Sequence, residues 1–191
     1  MKIQRRVLPR IYFNRPTLTV ARSLIGKYLV REIDGRILAG KIVEVEAYVG
    51  SQDRACHAAK GRTQRTEVMF GPAGVAYVYL IYGMYHCLNV VTEREEFPSA
   101  VLIRAIELNG ELIDGPGRLC RALEIDRRLN RVDLTIGESL WFEDRGGVVG
   151  RGTVGAYPRI GVDYAGMWAK KFWRFRLSRI TGPTRTRQTK K

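Results

Sequence analysis

The chain has 191 residues, with 33 Lys or Arg against 19 Asp or Glu, so its formal net charge is +14. This length fits one domain with a sizeable core, and a hydrophobic content of 45% excludes a disordered chain. The excess of positive charge predicts a polyanionic partner, most often nucleic acid, although a chain can also be basic for solubility alone. No long apolar run or basic amphipathic helix supports membrane binding, so none is expected.

The three cysteines, Cys56, Cys87 and Cys120, are an odd number with no closely spaced pair. A disulfide framework is therefore not expected, and a reducing compartment fits. The first ten residues lack the apolar segment of a secretion signal, which predicts a cytoplasmic protein. Cys56-His57 and His86-Cys87 could supply four zinc ligands, but neighbouring residues of an extended chain point to opposite sides, so no metal site is expected.

The N-terminal part of the chain reads as an arm, a helix and a hairpin. Residues 1–16 are basic and indicate an irregular arm. Thr17 or Thr19 can cap the short helix that follows. The next segments read as a hairpin with a strand at 27–33, a turn at Asp34-Gly35 and a return strand at 36–49.

Residues 40–49 alternate with period two, which is typical of a half-buried strand. Glu44, Glu46 and Tyr48 then share one face. Glutamates in such a pattern commonly face solvent. A carboxylate beside an aromatic ring, with His57 soon after the strand ends, is also what a hydrolytic site needs to activate water. The pattern alone leaves both interpretations open.

Residues 74–91 are rich in Val, Ile and Tyr and are interrupted at Gly83. This composition predicts a β-hairpin with its tip at Tyr82-Gly83-Met84. In a basic protein, an aromatic ring and a thioether at a hairpin tip suit a wedge between bases, whereas a tyrosine-rich pair of core strands is the ordinary alternative. The preceding loop at 58–73 carries three candidate phosphate contacts, Lys60, Arg62 and Arg65.

The strand expected at 100–108 is apolar apart from Arg104 and Glu107. A buried unpaired charge is costly, so Arg104 needs a partner, either a catalytic glutamate or Glu107. The remaining expected elements are a helix at 115–123, a strand within 134–142, a flexible glycine-rich segment at 146–155, a short helix capped by Asp163 and a last strand at 172–177. We expect the basic tail, 178–191, to be disordered and the domain to run from 17 to 177.

Several motifs occur in a specific order along the chain. They are ARSLIGKYLV at 21–30, GKIVEVEAYVG at 40–50, CHAAKGRT at 56–63, MFGPAGVAYVYLIYGMYHCLNVV at 69–91, AVLIRAIE at 100–107, GPGRLCRAL at 115–123 and RIGVDYAGMWAKK at 159–171. With these motifs the sequence resembles the alkyladenine (3-methyladenine) DNA glycosylases. The resemblance extends over residues 17 to 177, which is essentially the whole domain.

The resemblance implies an α+β fold, a single mixed domain around a curved antiparallel β-sheet with a protruding hairpin that inserts into DNA. It implies an enzyme that flips alkylated purines, such as 3-methyladenine and 7-methylguanine, out of duplex DNA and hydrolyses the N-glycosidic bond. The product is an abasic site, and neither a cofactor nor a metal is needed. The implied partner is double-stranded DNA. We expect a monomer, associated with the nucleoid or, in a eukaryote, located in the nucleus.

The resemblance also implies roles for individual residues. Glu46 is the general base that deprotonates water, and Arg104 is a second ligand of that water, helped by the backbone carbonyl of Ile160. The walls of the pocket around the flipped base are Tyr48, His57 and Tyr79. At the hairpin tip, Tyr82 fills the gap in the duplex with Met84 beside it. Asn89 rejects normal guanine at the minor-groove edge of the purine.

The chain departs from its relatives at three places. The segment 108–114 is short, Cys56 replaces a small or hydroxyl residue, and Asp163-Tyr164 is an unusual pair that bears on substrate range. Two other functions remain open, namely a non-catalytic binder of bent or damaged DNA and a nuclease with Glu44 and Glu46 as magnesium ligands. The sequence leaves undecided whether neutral lesions such as hypoxanthine or ethenoadenine are cut.

Overall fold

One long strand, β3, organises the sheet of this protein. The computed structural model describes residues 5–150 and 152–178, and within them there are ten strands, three α-helices and four 3₁₀ helices. The strands are β1 (Arg6–Val7), β2 (Tyr28–Ile33), β3 (Arg36–Val49), β4 (Ala76–Ile81), β5 (Tyr85–Val91), β6 (Ser99–Leu108), β7 (Glu111–Asp114), β8 (Leu140–Asp144), β9 (Val154–Tyr157) and β10 (Arg174–Leu177). The helices are α1 (Arg10–Phe13), α2 (Thr17–Leu24) and α3 (Pro116–Ala122), and the 3₁₀ helices span His57–Lys60, Glu67–Phe70, Arg127–Leu129 and Asp163–Trp168.

All strand pairs in the sheet are antiparallel, in the order β1-β8-β2-β3-β6-β5-β4, with β7 beside β6 and β9 beside β10. β2 pairs with the first part of β3, and β10 pairs with residues 44–46 farther along. β6 lies along the opposite edge. Residues 44–46 therefore have a strand on each side. This arrangement confirms the expected α+β fold around an antiparallel sheet.

β3 is buried on both of its faces over its second half, whereas the sequence pattern predicted one wet face. Val43, Val45 and Ala47 belong to the apolar side, and the opposite side carries Glu44 and Glu46, which are also buried. The half-buried interpretation is wrong because arginine side chains of β6 and β10 cover Glu44, and the loop before β10 reaches Glu46. Two carboxylates are thus held away from water, and each needs hydrogen-bond donors or positive charge.

Helix α2 packs against β3 and β6 through Val20, Ala21 and Leu24, which recur at helical spacing and are fully buried. The predicted helix is confirmed, but neither threonine caps it. The residue before the first turn is Pro16. Thr17 is the first helical residue, and its amide and hydroxyl both donate to the carboxylate of Glu93, at 3.0 and 2.6 Å.

The N-terminal arm is more ordered than expected. β1 pairs with β8, and α1 carries Phe13, which is fully buried and lies 5.5 Å from the ring of Phe142. The burial of Phe13 explains why this short segment holds a fixed place, since it contributes a large apolar side chain to the core. The predicted disordered tail lies outside the described residues, except for Ser178.

The β4–β5 hairpin has its tip at residues 82–84, as predicted. Tyr82 has a φ of +52° and Gly83 a φ of +69°. Glycine adopts this left-handed conformation freely, but it is unfavourable for a bulky residue such as tyrosine. The side chain of Tyr82 is 83% exposed and that of Met84 is 64% exposed. The hairpin thus holds two large apolar side chains in solvent on a tight turn.

The C-terminal half shows three differences from the sequence prediction. The short segment after β6 turns back to form β7, and β9 begins within the last two residues of the glycine-rich segment expected to be flexible. Asp163 begins a 3₁₀ helix but makes no side-chain capping bond. Helix α3 and the last strand are confirmed. No helix of the described residues has the length and hydropathy needed to cross a bilayer.

Candidate active site

Glu46 is the centre of the site because it is completely buried and yet lines a cavity. Strand β3 places it between Leu102 of β6 and Arg174 of β10. Each of its carboxylate oxygens accepts a hydrogen bond, Oε1 from the backbone amide of Ile160 at 2.8 Å and Oε2 from the hydroxyl of Tyr48 at 2.9 Å. These two donors fix the orientation of the carboxylate.

The pKa of Glu46 is raised above its ordinary value because burial disfavours the charged carboxylate. Arg104, the amide of Ile160 and the hydroxyl of Tyr48 oppose this effect, and the nearby charge of Glu44 adds to it. A carboxylate of raised pKa is a stronger base than a solvated one. The surroundings of Glu46 therefore suit proton abstraction from a water molecule.

Arg104 reaches the same carboxylate through an irregularity in the sheet. The register between β3 and β6 shifts twice, so that neither Val43 nor Arg104 has a partner across the ladder. Such bulges redirect side chains. The Nε of Arg104 lies 3.2 Å from Oε1 of Glu44 and 3.5 Å from Oε1 of Glu46. Of the two partners considered from the sequence, the one in contact is Glu46, the glutamate expected to be catalytic, and Glu107 is not.

Glu44 holds a cluster of arginines that sequence reasoning missed. Its Oε1 also accepts from Arg174 at 3.0 Å, and its Oε2 accepts from Arg176 at 2.9 Å. With three guanidinium groups on one buried carboxylate, Glu44 anchors Arg104 beside Glu46. Magnesium ligation by Glu44 would have to displace these cations, so the arrangement speaks against the nuclease alternative.

The three residues expected as aromatic walls, Tyr48, His57 and Tyr79, all line the cavity beside Glu46. The rings of His57 and Tyr79 lie 4.7 Å apart in an edge-to-face arrangement. The Nδ1 of His57 is hydrogen-bonded to the hydroxyl of Tyr77 at 2.8 Å, a partner that the sequence did not single out. The walls are thus aromatic and held in place, which suits a planar ligand that stacks.

His57 is neutral at ordinary pH. Burial lowers its pKa to about 4, and the positive charges of Arg65 and Lys60 act in the same direction. The pKa of Tyr48 is raised far above its ordinary value by burial and by the charge of Glu46. None of the aromatic walls therefore carries a charge, and a positively charged ligand would meet no repulsion from the rings themselves.

The cavity has a volume of about 160 Å³ and brings together most of the residues selected from the sequence. The residues selected that line it are Glu46, Tyr48, His57, Tyr79, Tyr82, Asn89, Arg104 and Ile160. Met84 does not line it but projects from the same hairpin tip. Residues separated by more than 100 positions in sequence thus meet at one concave site.

One of these residues is placed differently from its expected role, and a second is held by a contact that the sequence did not indicate. Ile160 offers its amide to Glu46, whereas the expectation concerned its carbonyl. Asn89 is buried, and its Nδ2 donates to the backbone carbonyl of Tyr77 at 3.1 Å, so one side of its amide group is fixed against β4. The role of Asn89 in base selection stays a prediction.

The three candidate phosphate contacts lie outside the cavity. Lys60 and Arg65 are exposed, and the guanidinium of Arg65 lies 4.8 Å from the ring centre of Tyr79. Arg62 forms an ion pair with Glu96 and stacks 4.5 Å from the ring centre of Phe70. Lys60 and Arg65 are thus near the aromatic wall, whereas Arg62 already has an acidic partner.

The comparison with protein families decides the assignment. The model of the methylpurine-DNA glycosylase family matches residues 11–180. The chain belongs to this family. The residues that line the cavity and every strand except β1 fall inside the matched range, so the site belongs to the matched domain.

Individual relatives agree with the family match, and the three described next are each named "Putative 3-methyladenine DNA glycosylase". The protein of Methanocella arvoryzae is 52% identical over 185 residues, which cover 88% of this chain and 91% of the relative. That of Myxococcus xanthus is 54% identical over 172 residues, covering 87% and 88%. A Legionella pneumophila relative is 51% identical over 173 residues, covering 89% and 93%. The resemblance drawn from the motifs, and with it the expectation of a DNA glycosylase, is confirmed.

In this member of the family, a buried ion pair connects the separate parts of the site. The guanidinium of Arg159 donates to both carboxylate oxygens of Asp53, at 2.5 and 2.8 Å, and both side chains are inaccessible to solvent. Arg159 also donates to the carbonyl of Ala47, and Asp53 accepts from the amides of Val49 and Ala55. The pair thereby joins the end of β3 to the loop that leads to the aromatic wall.

The same ion pair holds two residues of the site in position, Ile160 and Tyr48. Arg159 directly precedes Ile160, whose amide binds Glu46. Its guanidinium also lies 4.7 Å from the ring centre of Tyr48. In the sequence, Asp53 reads as one of several polar residues that end a strand, and no spacing signal connects it with Arg159, 106 positions away. A long-range contact of this kind has no local signature.

Within the described residues, no cluster of three or more His, Cys, Asp or Glu side chains could hold a metal ion. The cysteines are free and buried, and burial raises the pKa of Cys56 to about 12. Cys56 is therefore a thiol rather than a thiolate at ordinary pH, and it packs as a small apolar side chain.

Proposed function

We propose that this protein removes alkylated purines from double-stranded DNA by hydrolysing the N-glycosidic bond, with 3-methyladenine and 7-methylguanine as its substrates. The observation that carries the proposal is Glu46, a buried carboxylate at the end of an aromatic cavity beside an exposed hairpin tip. Its relatives carry the name of a 3-methyladenine DNA glycosylase, which supports the same substrate class.

The substrate base has to leave the duplex before the chemistry begins. A base inside a stacked duplex is inaccessible, so the enzyme flips it into a pocket at a cost of a few kcal/mol. Tyr82 and Met84 are exposed at the hairpin tip next to the cavity, where they can fill the space that the base vacates. This wedge offsets part of the lost stacking, as apolar side chains do in other minor-groove binders.

The aromatic walls recognise the charge of the damaged base. Alkylation at N3 or N7 makes the purine cationic, and stacking against Tyr48 and Tyr79 gives a cation–π attraction of about 0.5–2 kcal/mol. Because the pKa of His57 is lowered to about 4, its ring stays neutral and does not oppose the cation. Asn89, buried at one side of the cavity, opposes normal guanine at the purine edge.

The chemical step uses one water molecule. Its oxygen forms a bond to C1′ of the deoxyribose while the N-glycosidic bond breaks and its electron pair stays with the purine. Glu46 takes the proton of the water, and Arg104 helps to hold that water. A cationic purine leaves as a neutral base, so its departure needs no added proton. The negative charge of Glu46 also stabilises the positive charge that develops on the sugar.

The expected product is an unbroken strand with an abasic site. No lysine is among the cavity-lining residues of the described chain, so no amine is placed to attack C1′.

Neutral lesions such as hypoxanthine and ethenoadenine need a proton as they leave. The hydroxyl of Tyr48 is a poor donor of that proton, because its pKa is strongly raised. We therefore infer much slower release of neutral bases. The protein acts as a monomer on chromosomal DNA, and Lys60 and Arg65 contact phosphates next to the lesion.

Base release is the direct test of this function. In the presence of EDTA, wild-type protein is incubated with duplex DNA that contains 3-methyladenine or 7-methylguanine, alongside Glu46→Gln. The wild type should release free alkylpurine, with strands broken only after alkali. Glu46→Gln should slow release by about 10²–10⁴-fold, since it removes the general base but keeps the side-chain size.

A matched control separates this effect from the loss of any carboxylate. Glu107→Gln alters a glutamate on β6 that contacts neither Glu46 nor the cavity, and it should leave the release rate unchanged. If neither wild type nor Glu46→Gln released base, yet both bound lesion DNA tightly, the enzyme proposal would fail in favour of the non-catalytic binder.

A further inference from the structure

A second part of the cavity rim is exposed and apolar, like the hairpin tip. We call residues 160–172 the rim loop. Ile160 and Tyr164 of this loop line the cavity together with Tyr82. Tyr164 is 72% exposed and Met167 is 81% exposed, and Phe172 at the end of the loop is also largely exposed. Monomeric proteins rarely expose such clusters unless a partner covers them.

The rim loop is held rigidly, so this exposure is imposed by the fold. Val162 and Ala165 point inward and are buried. The amide of Ile160 is bonded to Glu46, and the carbonyl of Trp168 accepts from Arg159 at 3.2 Å. Tyr164 and Met167 thus project outward from a segment that is anchored at both ends.

We propose that the rim loop is a second DNA-contacting element, which packs Tyr164 and Met167 against the minor-groove face of the duplex beside the flipped nucleotide. The inference rests on the proposed function, because it takes lesion-containing DNA as the partner. Tyr164 and Tyr82 border one cavity. A nucleotide that enters this cavity therefore brings its flanking deoxyriboses and base pairs to both of them.

Two positive charges near the end of the rim loop agree with this partner. Lys170 and Lys171 follow Met167 closely and are exposed. Lysines bind phosphates, and they position a protein on a duplex while apolar side chains contact the sugars and bases. The rim loop thus combines an apolar tip with flanking positive charge, which fits a duplex groove.

The two kinds of contact differ in their response to salt. Each phosphate contact releases condensed counterions, so it steepens the dependence of affinity on salt, whereas an apolar contact releases none. Loss of Tyr164 and Met167 should therefore lower the affinity at every salt concentration and leave the slope unchanged. Loss of Lys170 and Lys171 should reduce that slope.

The test compares the full-length wild type with the double variant Tyr164→Ala/Met167→Ala. The probe is a duplex with a single tetrahydrofuran abasic analogue, which has no base to release. The double variant should bind this duplex about tenfold more weakly, which corresponds to about 1.4 kcal/mol. The control is Ile37→Ala, an exposed apolar residue nine positions before Glu46 on β3, roughly 30 Å away at about 3.3 Å per residue.

The results distinguish this inference from the proposed function. Affinity of the double variant within twofold of wild type, or a loss equal to that of Ile37→Ala, would overturn the role of the rim loop. Unchanged thermal unfolding would confirm that both variants fold, as expected for exposed side chains. If wild type binds the probe tightly but releases no alkylpurine, the proposed function fails, and the comparison of variants still decides the role of the loop. If wild type does not bind DNA, both the role of the rim loop and the proposed function fail.

Discussion

At one end of the cavity, which we call the floor, Glu46 is fully buried and both of its carboxylate oxygens accept hydrogen bonds. At the other end, Tyr82 projects into solvent from a tight turn and Tyr164 from a 3₁₀ helix. The floor thus consists of charged groups without water, and the rim consists of apolar groups exposed to it. Both arrangements are unfavourable for folding alone, and the proposed function accounts for them if the floor meets the sugar and the rim meets the duplex.

The comparison implies that the buried ion pair next to the floor, Asp53–Arg159, contributes strongly to stability. Asp53→Ala leaves the guanidinium of Arg159 buried without its partner, and such a loss costs about 3–5 kcal/mol. Urea unfolding should show this decrease in the free energy of unfolding. The control is Asp144→Ala, which breaks a partly exposed ion pair with Lys27 and should cost less than about 1 kcal/mol. Equal losses in the two variants would contradict the comparison.

His57, in the aromatic wall next to the floor, should make the free energy of unfolding depend on pH. The pKa of His57 is lowered from 6.5 to about 4 in the folded protein, so between these values the unfolded chain binds more protons. Stability is then highest above pH 6.5 and falls as the pH drops towards 4, by an amount on the order of 3 kcal/mol. His57→Gln keeps a polar group near Tyr77 and removes the titration.

The measurement is the difference in unfolding free energy between wild type and His57→Gln at several values of pH. Because carboxylates titrate in both proteins, their contributions cancel in this difference. A difference that stays constant from pH 7 to pH 4 would show that His57 takes up its proton as easily in the folded protein as in the unfolded chain.

At the rim, in contrast, a substitution should impair function without lowering the free energy of unfolding. Tyr82 has a φ of +52°, a conformation that costs an ordinary residue about 1–2 kcal/mol and that asparagine tolerates better. Tyr82→Asn should therefore keep the stability or raise it by up to about 1 kcal/mol, although it impairs base release from duplex DNA. Urea unfolding and base release measured on one preparation test this, and a clear loss of stability would show that the ring supports the fold.

Local signals in the sequence were sufficient for the elements that carry the site. The break at Gly83 in a run of β-branched and aromatic residues located the hairpin tip, and alternation located the strand of Glu46. These predictions succeed because turns and strands depend on neighbouring residues. Alternation did not reveal that both faces of β3 are covered, since burial depends on the rest of the chain.

The contacts that tune the site could not be found in this way. Glu44 meets Arg174 and Arg176 across some 130 positions, and Asp53 meets Arg159 across 106. Each reads as an ordinary polar residue until the sheet brings its partner close. The bulge that turns Arg104 towards Glu46 also leaves no signal in the sequence, because a register shift is a property of two paired strands.

The central place of β3 has a consequence for the motions of the enzyme. Residues 44–46 are hydrogen-bonded to β6 on one side and β10 on the other, and the amide of Ala47 donates to the carbonyl of Trp173 at 2.8 Å. Such amides exchange with solvent only when the whole structure opens. Glu46 therefore lies in a part of the sheet that opens slowly, so any adjustment to a bound duplex is expected at the exposed β4–β5 hairpin rather than at this strand.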